Sequence, residues 1–187
     1  MPKDLQGLGH SATLTRTTAC VGSFAEVDTP MTISVRILNA ADAAVLDRVA
    51  EDVFDEPVDA RWAAEFLGDP RHHLAVAIEG EGEGEQVVGF ASGVHYVHPD
   101  KPPELWVNEV GVSPAHQNRG VGRRLLAALF ERARAVGCAQ AWVGTERANA
   151  PARRLYAAAG GVEEPEDFVI VTFRLNGGGD GTSRGLP

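Results

Sequence analysis

Cysteine is scarce in this 187-residue chain: Cys20 stands in a polar lead-in and Cys138 between an expected helix and an expected strand. A disulfide framework is therefore not expected, and a reducing, cytoplasmic compartment fits. Also missing are an apolar stretch behind the N-terminal MPKDLQGLGH and any run long enough to span a membrane, so neither secretion nor insertion is expected. Cations are in the minority, 17 Lys and Arg against 26 Asp and Glu, for a formal net charge of -9. That balance argues against a general affinity for nucleic acid or anionic lipid and favours cationic partners at long range. Internal repeats are absent. What is present, 44% hydrophobic residues in a single-domain length, describes a globular protein with a real core.

Residues 1–30 lack periodicity and read as a flexible extension, residues 31–176 as the domain, and the glycine-rich 177–187 as a flexible tail. A strand is expected over 32–37. Capping residues at 39–42 then open a helix carrying Val45, Leu46, Val49 and Val53 at helical spacing. A second helix over 59–67 sets Trp62 with Phe66, and Ala63 with Leu67, on one buried face, and Gly68-Asp69-Pro70 stops it. Between the two, Glu51, Asp52, Asp55, Glu56 and Asp59 form an acidic cluster, either a solvated surface or a wall that attracts a cation. Strands over 73–78 and 86–96 flank EGEGEGE and make an antiparallel hairpin. His72, His73, His95 and His98 have no Cys or carboxylate partner at a usual ligand spacing, so they read as structural or surface residues and no metal is expected.

The stretch 104–137 organises the rest. An apolar strand over 105–112 ends before Pro114, and its Gly111 implies a bulge, a close backbone approach or a packing accommodation. Gln117-Asn118-Arg119-Gly120-Val121-Gly122 follows, with glycines at alternate positions that let the backbone approach a ligand and point amides at it. The helix from Gly120 buries Val121, Leu125, Leu126, Leu129, Ala133 and Val136. Arg119, Arg123 and Arg124 crowd its positive end, where each cation is unfavourable by about 0.3–1 kcal/mol. A bound phosphate removes that conflict. The full Rossmann spacing and the Walker lysine are both missing. Beyond lie a strand over 139–146, a helix begun by Asn149-Ala150-Pro151 and ended by Gly160-Gly161, and a closing strand over 167–175.

This series of strand, glycine turn, long helix, strand and Asn-capped helix with Leu155-Tyr156 resembles the GNAT superfamily of acyl-CoA-dependent N-acyltransferases. The likeness covers roughly 33–175 and is most specific over 110–122 and 149–160. It implies an α/β fold: a mixed, mostly antiparallel twisted sheet, split at its centre and flanked by about four helices. It further implies acetyl-CoA as cosubstrate and no metal. The coenzyme pyrophosphate would rest on the amides of Gln117, Asn118, Arg119, Gly120, Val121, Gly122 and Arg123, with Asn149 also touching the cofactor. Val110, Gly111 and Val112 would follow the acyl-pantetheine arm, the Val110 N–H donating to the thioester oxygen.

Within the superfamily the layout looks most like the aminoglycoside 3-N-acetyltransferases, on Trp106-Val107-Asn108-Glu109-Val110-Gly111-Val112, Glu146, Pro151, Leu155-Tyr156 and the acidic 163–167. Those enzymes carry an aspartate where Glu109 stands, so the carboxylate is kept but lengthened. Amide formation from a thioester needs a neutral amine, a polarised carbonyl and a protonated sulfur. By this resemblance Glu109 is the base and Tyr156 the acid; if the acidic segments converge at the open end of the split sheet, Asp55, Glu56, Glu146, Glu166 and Asp167 suit a small polycationic amine by charge, an aminoglycoside first. A peptide or other metabolite amine is the next reading, and a non-catalytic acyl-CoA-binding module the one from another class. Glu109 and Tyr156 occurring together favour an enzyme. A homodimer, common in the superfamily, stays open.

Overall fold

The computed structural model describes residues 32–164, with Val171 and Phe173. The expected closing strand, both terminal segments, Glu166 and Asp167 lie outside the described residues. Strands β1 (Ile33–Leu38), β2 (His72–Glu79), β3 (Gln86–Tyr96), β4 (Glu104–Val112) and β5 (Gln140–Val143) form one sheet in chain order. The first four pair antiparallel, and β5 joins β4 in parallel. Helices α1 (Ala60–Gly68), α2 (Val121–Ala135) and α3 (Ala150–Ala158) complete the α/β arrangement that the resemblance implies.

β2 buries six residues in a row because the sheet is covered on both faces. On one face, α2 lays Val121, Leu125, Leu126, Leu129 and Ala133 against Ala75, Ala77, Val88, Ala91, Leu105 and Val107. The expected stripe is thus buried except for Val136, which is the C-cap. On the other face, Leu74, Val76, Ile78, Val87 and Phe90 pack against Leu38, Leu46 and Val53, with Ala63, Phe66 and Leu67 of α1 beside them.

Two local expectations need correction. The first helix does not run to Val53: it is a 3-10 helix, Ala40–Asp47, opened by a capping box in which Asn39 and Asp42 satisfy each other's backbone amides. The chain then leaves the helix for the sheet. Val49 bridges Val87 in parallel, with Ala50 donating to the Val87 carbonyl and Val87 to that of Arg48, both at 2.8 Å. Trp62 is the second: it is 59% exposed, with the Arg61 guanidinium 4.8 Å from its ring centroid. A nine-residue helix buries one stripe, and Ala63, Phe66 and Leu67 already make it.

The histidines take part in structure. His73 is buried, and burial first, then Arg132 and His95, lower its pKa to about 4. Arg132 donates to His73 Nδ1 at 3.5 Å, which leaves Nε2–H to donate to His95 Nδ1 at 2.9 Å.

Candidate active site

β4 carries the centre of the site because its ladder fails twice. Against β3, Ser92 faces Glu109 but Gly93 faces Val107, so Asn108 is the extra residue of a bulge. Of the alternatives the sequence left open at Gly111, the bulge falls here, at Asn108, instead. The better signal was Asn108, a poor strand former in a strong strand. Gly111 answers a close backbone approach instead: a Cβ there would collide with the Val53 carbonyl and come within 2.6 Å of the Phe90 ring. Against β5, pairing ends at Val107 with Val143. From Asn108 onward the β5-facing edge of β4 has no strand partner among the described residues, and Val110 and Val112 lie on that free stretch.

The chain then turns through a 3-10 helix, Pro114–His116, pinned to β2 by His116 Nε2 at 3.0 Å from Glu79 Oε2. Gln117 Nε2 donates to the Val112 carbonyl at 3.0 Å and ties the turn to the strand end. Asn118 and Gly120 adopt φ of 58° and 78°, the left-handed region that asparagine tolerates and glycine enters freely. Gly120 caps α2 without a side-chain acceptor, and no acidic residue stands in the first turn. The leading amides of α2 are therefore open to an anion.

The glycines and arginines of this turn divide their tasks. Gly122 brings helices together, since a Cβ there would meet Leu155 of α3 at 3.2 Å. Arg124 donates to the Ile33 carbonyl at 2.8 Å and braces β1, while Arg119 and Arg123 are exposed beside the uncapped amides. Uncapped amides, two left-handed residues and two exposed guanidinium groups suit a diphosphate. Asn149 Oδ1 accepts from Ala152 at 3.1 Å and caps α3. Tyr156, on the same helix, is half-buried against the α2 cluster, and burial raises its pKa. No group among the described residues is hydrogen-bonded to its hydroxyl.

Glu109 shares a face with its register partner Ser92 and with Phe90 two residues before it, away from α2. It is exposed as a residue, yet its carboxyl sits where protein displaces part of its water. That desolvation, and next the Asp55 carboxylate, raise its pKa. Asp55 arrives there because Phe54 stacks on Phe90, ring centroids 3.9 Å apart, and Val53 packs under Gly111. Asp55 also lines a groove of about 810 Å³ between the 3-10 segment and α1, with Asp47, Glu51, Asp52 and Glu56. Of the acidic positions singled out in the sequence, Glu51, Asp52, Asp55 and Glu56 are thus brought to the groove, and Asp59 instead caps α1. Glu146 does not line it: its carbonyl accepts from the Asn149 amide at 2.9 Å, in the turn before α3. Glu163 binds Arg153 through both oxygens, at 2.7 and 3.0 Å, and belongs to the α3 side.

The candidate site thus joins a bulged strand that parts from its parallel neighbour to a helix start with uncapped amides. The sequence profile of the acetyltransferase (GNAT) family matches residues 40–160. The chain belongs to the acetyltransferase (GNAT) family. Acetyltransferases of this family use acetyl-CoA. Among relatives of this GNAT chain, the N-alpha-acetyltransferase RimI of Mycobacterium tuberculosis is 34% identical over 104 residues, 54% of the chain and 63% of the relative. An L-2,4-diaminobutyric acid acetyltransferase of Streptomyces anulatus is 31% identical over 100 residues, 54% of each protein. The match thus spans less than two thirds of either relative's length. Among solved structures, an aminoglycoside N-acetyltransferase, AAC(6')-Iy, in complex with CoA superposes with a TM-score of 0.63 at 21% identity, covering 79% of this chain and 99% of that one. At that identity the likeness speaks for the fold. Among the described residues no helix is long and apolar enough to cross a membrane, and no cluster of three or more His, Cys, Asp or Glu is arranged for a metal.

Proposed function

We propose that this protein is an acetyl-CoA-dependent N-acetyltransferase acting on a primary amine of a small polycationic substrate, an aminoglycoside of the antibiotic-modifying type first, by direct attack in a ternary complex. What carries the reading is Glu109: a carboxyl whose pKa is raised by burial and by Asp55, itself a wall of an acidic groove, one residue past the bulge where β4 leaves its partner. The acidic groove supports a cationic acceptor by charge complementarity. The aminoglycoside class rests on the resemblance of 106–112 and its surroundings to the aminoglycoside 3-N-acetyltransferases.

When bound, acetyl-CoA supplies an activated thioester. The leading amides of α2 with Arg119 and Arg123 would hold the diphosphate, and the Val110 N–H would donate to the carbonyl oxygen. Glu109 takes the proton of the ammonium, directly or through water, and its raised pKa suits it to that task. Tyr156 would act as the acid toward the sulfur. Reference values of about 10 for tyrosine and about 8.5 for a thiol make full proton transfer uphill by roughly 2 kcal/mol, and burial adds to that. Its hydroxyl therefore hydrogen-bonds the departing sulfur and yields the proton late.

The deciding experiment is thiol release from acetyl-CoA in the presence of kanamycin, spermidine or an alanine-initiated hexapeptide. Glu109→Gln is expected to lower kcat at pH 7 by about 10²–10⁴-fold, and Tyr156→Phe to lower it with little change in acetyl-CoA affinity. Unchanged rates in both variants remove the assigned roles. Tight acetyl-CoA binding with no turnover on any amine points to a non-catalytic module. A second reading, acetylation of a peptide N-terminus, is favoured by the 34% identity to an N-alpha-acetyltransferase and predicts turnover on the hexapeptide alone.

A further inference from the structure

Two tryptophans lie exposed on the Glu109 face of the sheet, and the chemistry above gives them no role. Antiparallel pairing sets Trp106 opposite Val94 and Glu109 opposite Ser92. Ser92 and Val94 are two apart on β3 and share a face, so Trp106 and Glu109 share it too. The parallel rung from Trp106 to Trp142 adds the second indole, one rung before β4 and β5 part. Both are more than a third exposed, 36% and 37%. Neither ring hangs free. Trp142 Nε1 donates at 2.9 Å to the buried Glu104, which Lys101 also holds at 2.6 Å and Tyr96 at 3.0 Å. The Trp106 ring comes within 3.6 Å of where a side chain on Gly144, just past the end of β5, would begin.

We propose that Trp106 and Trp142 form an aromatic floor for the acceptor, on which a saturated ring bearing several ammonium groups lies flat with its reacting amine toward Glu109. This rests on the N-acetyltransferase reading and narrows the acceptor to amino sugars. The C–H face of such a ring covers an indole with apolar contact, and the electron-rich indole face attracts the ammonium groups. Glu109 and Asp55 supply the negative rim that the remaining ammonium groups require. An extended peptide fits less well, because its backbone amides need hydrogen-bonding partners and an indole face offers none.

The test measures binding by calorimetry and turnover by thiol release on the full chain, with kanamycin, spermidine and an alanine-initiated hexapeptide as probes. Trp106→Leu and Trp142→Leu are each expected to weaken kanamycin binding and raise its KM by about tenfold, with Trp106→Phe recovering most of the loss. Spermidine values should move by less than roughly twofold, and CoA affinity should stay at the wild-type value, which reports an intact fold. A loss of equal size on all three probes, or no loss, overturns the floor. If the wild type binds kanamycin without releasing thiol, the acetyl-transfer reading falls and the leucine variants still decide the floor. If it acetylates the hexapeptide but neither binds nor acetylates kanamycin, the floor falls and the N-acetyltransferase reading stands.

Discussion

A carboxylate can act as a base toward an ammonium only if its own affinity for protons is raised, and Glu109 meets that need through two named causes. Partial removal of water disfavours its charge, and Asp55 repels it further. The consequence for pH follows by sign. Only ionised Glu109 accepts a proton, so kcat/KM should fall on the acid side through its raised pKa. Asp55→Asn removes the repulsion, lowers that pKa and moves the acid limb to lower pH, as a pH–rate profile will read; an unmoved limb sinks the coupling. The same shift bears on stability: the folded state holds this proton more tightly than the unfolded one, so stability declines as pH rises from the unfolded value to the raised one. Glu109→Gln should accordingly leave Tm at pH 7 equal or higher while activity is lost, the usual conflict of a functional site with stability.

At the scale of elements, β4 is a strand whose defects shape the candidate site. The extra residue Asn108 and the end of pairing at Val107 free its edge, and Gly111 lets the 49–55 segment lie against it. Gly111→Ala drives a methyl into the Val53 carbonyl and the Phe90 ring, so a destabilisation of about 1–3 kcal/mol or more is expected. Denaturant melts should show it as a lower midpoint at unchanged slope. Gly144→Ala is the contrast: its Cβ would stand 3.6 Å from the Trp106 ring, an ordinary contact, and the midpoint should hold. Equal effects at the two glycines contradict the packing described. Much of β4 was legible, since its apolar run and Pro114 bound it correctly. Its bulge was not, because a glycine is the commoner sign of a ladder defect, and only the pairing with β3 locates it at Asn108.

For the whole molecule, the sheet separates two tasks. α2 covers one face and offers its uncapped start to an anion, while the 3-10 segment, α1 and the acidic groove occupy the other. A ligand that binds only the folded protein stabilises it by mass action. CoA at a hundred times its Kd should add about 2.7 kcal/mol, which for a chain of this length raises Tm by roughly 5–11 °C. Replacing Arg119 and Arg123 by Ala should shrink that shift without lowering the ligand-free Tm, because both guanidinium groups are exposed. Arg124→Ala should instead lower the ligand-free Tm, since it loses the bond to the Ile33 carbonyl. Thermal melts with and without CoA check all three, and a full shift in the double variant removes those arginines from the cradle.

By itself the sequence determined what local chemistry governs: the stripe of α2, the glycine turn before it, the caps at Asn39 and Asn149, the 73–96 hairpin and the family. These depend on residues a few positions apart, so spacing reveals them. What joins distant positions was decided by tertiary structure alone. Asp55 meets Glu109 because Phe54 stacks on Phe90; Arg124 turns away to β1; Glu163 is taken by Arg153; and Trp106 and Trp142 become neighbours through one parallel rung. The physical reason is the same in each case: the partners belong to separate elements, and the energy that brings them together is the burial of apolar faces elsewhere in the chain.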